Sequence, residues 1–278
     1  MADIAGQTIL ITGAVRGVGA TIVERLVQEG EVNIALLAKD KAETTDDTLS
    51  KYRRMYNTDV RFFATDMLDS DSIKDSVQRV ASTFGGIDVV INAAAVIVIK
   101  SVANTDVDIM DLSYNINARS CYLVCKHAFE FLTKSAQPQV LNICPPINLD
   151  PRVLATRMAY CTSQYMKSMI TVALAENDDW QQHGIRVNGL WPLYPFEDGE
   201  NLSIYQAHTE KTAQKRSVKL FGDAAHCVLS RPENGWNGEF FYDEEIIDMH
   251  RSGEADNIIE HRNTQSVIQD SYALEDDF

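Results

Sequence analysis

No apolar run in the sequence approaches the roughly 18 to 20 residues that a membrane-spanning helix needs. Basic residues are scarce: 25 Lys and Arg face 40 Asp and Glu, for a net charge of -15. That balance argues against nucleic acid and anionic membranes as partners, because phosphate contacts need clustered cations. The five cysteines, Cys121, Cys125, Cys144, Cys161 and Cys227, are odd in number and include no CxxC pair, so reduced thiols are expected. Cys121 and Cys125 stand four apart, but no His or Cys set with ligand spacing accompanies them, and no metal site is expected. Only 14 Gly and 7 Pro occur in 278 residues, too few for a fibrous or low-complexity chain. The opening MADIAGQT lacks the basic and then apolar layout of a signal peptide, and a soluble cytoplasmic protein is expected.

What is present is apolar mass for a full core, at 45% hydrophobic residues. The length favours one large α/β domain. Charge is unevenly spread: from Asp243 to Phe278 eleven acidic residues face two arginines, so -9 of the -15 sits there. The expected organisation is a single dinucleotide-binding domain over 1–245 and an acidic extension over 246–278, with a solvated surface as its simplest meaning.

Short β-branched runs predict strands at 8–12, 32–38, 60–64, 87–91, 139–143, 185–190 and 239–242. Helical spacing predicts helices at 17–29, 46–56, 70–84, 106–134, 158–176 and 220–230, with Ser70 as an N-cap. Alternating strands and helices imply parallel βαβ units, and strands without clean alternation fit a sheet covered on both faces. The fold class is therefore α/β: a Rossmann-type doubly wound parallel sheet of about seven strands with helices on both faces.

The first strand runs into Thr12-Gly13-Ala14-Val15-Arg16-Gly17-Val18-Gly19, and a helix follows. Strand, glycine-rich turn and helix form the context a dinucleotide site requires: small residues admit the pyrophosphate and the helix N-terminus offers free N–H groups. The spacing TGxxxGxG resembles that of the short-chain dehydrogenase/reductase family, and other pieces fall in that family's order. Asp66-Met67 ends the third strand, where the family's Asp contacts adenine; Asn92-Ala93-Ala94 follows the fourth; Asn117 lies in a long helix; Tyr160 begins the next; and Gly184 to Asn188, with Pro192, resembles the family's GIRVNxxxP strand. The segments at Pro145–Leu149, Leu190–Pro192, Asp223–Ala225 and Gly238–Glu244 resemble the hydroxysteroid dehydrogenase-like protein 2 branch.

The resemblance implies a nicotinamide cofactor held by Gly13, Val15, Arg16, Gly17, Val18, Gly19, Lys39, Asp66, Met67, Asn92, Ala93, Ala94, Tyr160, Gln164 and Pro192. Where a carboxylate would meet the 2′-hydroxyl of NAD, the second strand ends in Ala38 and Lys39 follows. With Arg16 before the second turn glycine, two cations and no carboxylate favour NADP(H).

The catalytic end departs from the family. There a Tyr donates a proton, a Lys four residues on tunes a phenol whose free pKa is about 10, a Ser binds the substrate oxygen and an Asn orders water. This chain keeps Tyr160 and Asn117, but Gln164 stands at the Lys position and Pro145, after Cys144, at the Ser position. The implied catalytic set is Tyr160, Asn117 and Gln164. Implied substrate contacts are Cys144, Pro145, Tyr194, Phe196 and Tyr205, the last three in a candidate lid over 193–215. Three readings stay open: an atypical NADPH-dependent reductase acting on a carbonyl or imine/iminium carbon of a small-molecule substrate, a cofactor-binding non-redox catalyst or sensor, and a pseudoenzyme scaffold or regulatory partner. The helices over 106–134 and 158–178 resemble those that pair subunits in the family, which implies a homodimer or homotetramer.

Overall fold

The computed structural model describes residues 4–39, 46–147, 149, 151–155, 157–193, 217–230 and 235–252. Seven strands form one sheet: β1 Thr8–Thr12, β2 Asn33–Ala38, β3 Asp59–Ala64, β4 Val89–Asn92, β5 Gln139–Ile143, β6 Arg186–Trp191 and β7 Phe240–Tyr242. Every pairing is parallel and the order is β3-β2-β1-β4-β5-β6-β7. The order reverses between β1 and β4, so the crevice beyond their carboxyl ends is the ligand position such sheets offer.

The helices are α1 Gly17–Leu26, α2 Asp46–Tyr56, α3 Ser70–Phe84, α4 Val107–Tyr114, α5 Ser120–Leu132, α6 Pro151–Ala155, α7 Met158–Ala175, α8 Asp178–Gln182, α9 Lys219–Leu229 and α10 Asp243–Ser252. Strand residues alternate between two cores. Ile9, Ile11, Ile34, Leu36 and Ile91 pack against α1, α9 and α10; Leu10, Ala35, Leu37 and Val90 pack against α3, α5 and α8. With both faces covered, every residue of β1 is buried, which is why that strand is apolar without a polar beat.

The doubly wound sheet matches the expected class, and the strand bounds agree to within two residues. Two local readings are corrected. Ser70 is not the N-cap of α3; Asp69 is, its carboxylate accepting from the Asp71 N–H at 2.9 Å, and Ser70 is the first helical residue. The expected helix over 106–134 is split by a π-helical turn at Asn115–Arg119, where the backbone bonds step from i+4 to i+5. α10 begins inside the acidic stretch and buries Ile246 and Ile247 against α9, so the region across residue 245 is helical and packed.

Candidate functional site

The site is built at the carboxyl ends of β1, β4 and β5. β1 ends at Thr12, and the chain turns at once because Gly13 takes a positive φ of 67°. A Cβ there would lie 2.7 Å from the Ala94 Cα and 2.8 Å from its N, so only glycine lets the turn rest on the segment after β4. Thr12 Oγ1 accepts from the Ala94 N–H at 3.1 Å and fixes the same contact from the other side. Gly17 opens α1 with φ 56°, and a Cβ on it would meet nothing within 4 Å. The turn is thus closed towards the protein at Gly13 and open outward at Gly17. Arg16, the exposed N-cap of α1, makes no side-chain cap bond, so the first N–H groups of α1 stay available. Val15 and Gly19 are buried beneath the turn and Val18 is half-buried. This cradle fits a pyrophosphate.

The carboxyl ends of β2 and β3 bring Lys39 and Asp66 together. Lys39 Nζ lies 3.0 Å from Asp66 Oδ2, and Asp66 Oδ1 accepts from the Leu68 N–H at 3.0 Å. The Leu68 N–H and then the Lys39 ammonium hold the Asp66 carboxyl below the usual carboxylate range. Lys39 is therefore an ion-paired cation at the expected place, with Met67 buried behind it. Asn92, Ala93 and Ala94 lie buried at the end of β4, and Asn92 Nδ2 donates to Asn142 Oδ1 at 2.8 Å.

The π-helical turn puts Asn117 in the interior. Its Oδ1 accepts from the Val96 N–H at 2.7 Å, and its Nδ2 donates to the Val96 carbonyl at 2.9 Å and to Ser163 Oγ at 2.9 Å. The side chain is consumed in fastening the loop after β4 to α7. Any part Asn117 plays towards water or substrate falls to its main chain and to the shape of the widened turn.

On α7, Tyr160, Gln164, Lys167 and Thr171 recur at i, i+4, i+7 and i+11, so all four share one face. Their exposures are 8%, 1%, 1% and 0%, so this polar stripe is turned inward. Gln164 Oε1 is buried and has no hydrogen-bond partner among the described residues. A buried amide oxygen left unsatisfied costs about 1 to 3 kcal/mol, so it is an acceptor awaiting a donor. Lys167 is the residue that sequence reasoning missed. Its Nζ donates to the Ala94 carbonyl at 3.2 Å and the Ile143 carbonyl at 3.5 Å. The available signal was a lysine on a face that spacing from Tyr160 turns into the core.

Cys144 is fully buried, with Sγ 3.5 Å from Thr171 Oγ1, and burial pushes its thiol up to about 11. It faces the layer between β5 and α7, and a thiol so raised is a weak nucleophile. Pro145 is half-buried, and its carbonyl accepts from Ser168 Oγ. Pro192 is half-buried after β6, and the next residue, Leu193, donates its N–H to Asp243 Oδ1 at 2.9 Å. Tyr194, Phe196, Tyr205 and nearly all of the candidate lid lie outside the described residues. Depressions at Glu31–Asn33 and Arg53–Arg61 lie at the amino ends of the strands, opposite the turn. Among the described residues no group of three or more His, Cys, Asp or Glu is placed to hold a metal, and no helix is long and apolar enough to cross a membrane.

The glycine turn on a parallel sheet, with Tyr160 on the helix after β5, defines a short-chain dehydrogenase fold. The short chain dehydrogenase family model matches residues 7–195, and the chain belongs to this family. Within it, the likeness to the hydroxysteroid dehydrogenase-like protein 2 branch read from the motifs is borne out: the protein of that name from Bos taurus is 31% identical over 249 residues, 88% of this chain. The chain spans 58% of that relative's length. A short-chain dehydrogenase of Mycobacterium thermoresistibile superposes with a TM-score of 0.77 at 26% identity, covering 89% of this chain and 88% of that one. A short-chain dehydrogenase of Burkholderia cenocepacia, solved in complex with NADP, superposes with a TM-score of 0.75 at 21% identity over 86% of this chain and 97% of its own. At that identity it bears on the fold alone.

Proposed function

We propose that the protein is an NADP(H)-dependent reductase whose acceptor is a carbonyl or, more readily, an imine or iminium carbon of a medium-sized organic molecule. The observation that carries this reading is the pairing of an open glycine cradle at Gly17 with an unsatisfied acceptor at Gln164 Oε1, both at the carboxyl end of the sheet. A bound reduced nicotinamide would supply the hydride. The turn from Gly13 to Gly19 would hold the pyrophosphate against the α1 N–H groups. Arg16 and Lys39 would face a 2′-phosphate, with Lys39 leaving Asp66 to do so. Gln164 would accept from a ribose hydroxyl, the role its buried oxygen is shaped for.

Tyr160 would remain protonated and donate its phenolic proton to the substrate heteroatom. No ammonium occupies position 164 to favour its anion, which limits its strength as a proton donor. An iminium carbon accepts hydride with no proton transfer to its neighbour, so it asks less of this site than a ketone does. Orientation of donor and acceptor then carries most of the rate.

The same reading takes residues 1–245 as the catalytic domain and residues 246–278 as an acidic extension, in a cytoplasmic protein. It also takes a second copy of the chain as the partner on α5 and α7. Tyr122, Met166, Met169 and Val172 are 41% to 60% exposed there, more apolar surface than a free helix pair keeps at no cost.

The test is consumption of NADPH with a panel of cyclic imines and iminium salts beside matched ketones. Faster turnover of the cationic acceptors supports the reading. NADPH binding with no turnover of either class supports the non-redox alternative, which the joint replacement of the family's Lys and Ser favours.

A further inference from the structure

Burying a lysine costs several kcal/mol unless its donors are matched, and a lysine on an inward helix face is rarely incidental. Lys167 is among the largest fully buried side chains of the protein. Its Nζ meets two carbonyl oxygens at the mouth of the sheet. One belongs to Ala94, two residues past β4, and the other to Ile143, the last residue of β5. Ala94 is held from both sides, its N–H by Thr12 and its carbonyl by Lys167. The same Ala94 is the surface on which the Gly13 turn rests. The ammonium therefore lies under the point where β1, β4 and β5 converge, one turn of α7 beyond Gln164. No carboxylate is recorded within ion-pairing distance of it among the described residues.

We propose that the work of one lysine is divided on this helix: Gln164 receives the ribose, and Lys167, as a positioning residue, supplies the positive charge beneath the nicotinamide and thereby favours its neutral reduced form over its cationic oxidised form. The proposal rests on the nicotinamide reading above, and it concerns which form of the cofactor is held, not the rate of hydride transfer, which a positive charge beneath the ring opposes. The charge of a buried ammonium is weakly screened and reaches the mouth of the crevice. The phosphates and ribose are common to NADPH and NADP+, so the ratio of their affinities isolates the charge on the ring.

Among the described residues, no carboxylate stands with the groups that face Lys167. Cys121 and Cys125 come from α5, and Cys144 directly follows β5. Cys121 and Cys144 are fully buried; the contact with Cys125 and then burial push the Cys121 thiol well above its ordinary value, and burial pushes the Cys144 thiol up to about 11. Burial also lowers the pKa of Lys167 below its ordinary value, while the thiols pull the other way. The preference for NADPH over NADP+ accordingly weakens as pH rises through the folded-state pKa of Lys167, which burial holds below 10.5.

The test is fluorescence and calorimetric titration of the full chain with NADPH and with NADP+, for wild type, Lys167→Met and Lys167→Gln. Lys167→Met removes charge and donors; Lys167→Gln keeps a donor for the Ala94 or Ile143 carbonyl and removes only the charge. Both variants are expected to shift the affinity ratio towards NADP+ by about fivefold and to abolish its change with pH. The double variant Gln164→Lys with Lys167→Met, which moves the ammonium back one turn, is expected to restore the ratio. An unchanged ratio in a folded Lys167→Gln protein overturns the proposal and leaves Lys167 a clamp. Wild type that binds neither nucleotide overturns the cofactor reading and the proposal with it.

Discussion

The two ends of the crevice have been treated differently. At the β1 end, the turn from Gly13 to Gly19 has a shape that fits a pyrophosphate. Gly13 has no room for a side chain, Gly17 faces open space, and α1 starts with unclaimed N–H groups. At the β5 end, position 164 carries a neutral amide, position 145 a proline, and a buried lysine stands at 167. Backbone contacts with a phosphate tolerate no drift, because they depend on the missing side chain itself. Proton donation and charge placement can be met by several residue types on one helix face. On the proposed reading, sterics set the glycine turn and electrostatics set the inward face of α7.

The comparison breaks most visibly at Gly13. Gly13→Val should destabilise the fold by at least about 2 kcal/mol and abolish NADPH binding, since the new Cβ meets the Ala94 backbone at positive φ. Thermal unfolding and titration read the two effects. Gly17→Ala separates them. Positive φ costs about 1 to 2 kcal/mol of stability there, but NADPH affinity should fall at least tenfold. Gly85→Ala, with φ 89° at the end of α3, is the matched control and should show similar strain with unchanged affinity.

At the catalytic end the expected effect is in pH dependence. The folded-state pKa of Lys167 lies below its ordinary value of 10.5. Between those two values the unfolded chain holds the extra proton, so stability rises with pH across that window. Lys167→Met should flatten that alkaline rise in chemical denaturation series. Remote from the site, His226 gives a contrasting acid-side effect. Arg25 Nη2 lies 3.0 Å from its Nδ1, and Glu29 Oε1 lies 3.1 Å from its Nε2. Burial and then Arg25 lower the His226 pKa from 6.5. Stability should therefore fall as pH drops through the window below 6.5, and His226→Gln should remove that part of the loss without altering the NADPH to NADP+ ratio. Smallest in stability is Lys39→Ala. The Lys39 pair with Asp66 is exposed and worth under about 1 kcal/mol, yet selectivity for NADPH over NADH should fall about tenfold.

The sheet and the glycine turn were legible because they rest on local patterns: β-branched runs, a strand stopping at Gly13, a helix following Gly17. The Asp69 cap was missed by one residue, since Asp69 and Ser70 are both good caps and tertiary fit chooses between them. The π turn at Asn115–Arg119 leaves no mark in hydrophobic periodicity, yet it decides that the Asn117 side chain serves the fold. Lys167 is not marked in the sequence, because the family spacing of four from Tyr160 ends at Gln164. Three residues on, the same face carries a cation whose burial only tertiary structure reveals.

The most direct measurement is an equilibrium titration of the purified full chain with NADPH and NADH. Tight NADPH binding with NADH at least tenfold weaker is the predicted result, from an intact turn beside Arg16 and Lys39. Binding of neither would contradict the claim that the cofactor end has been kept.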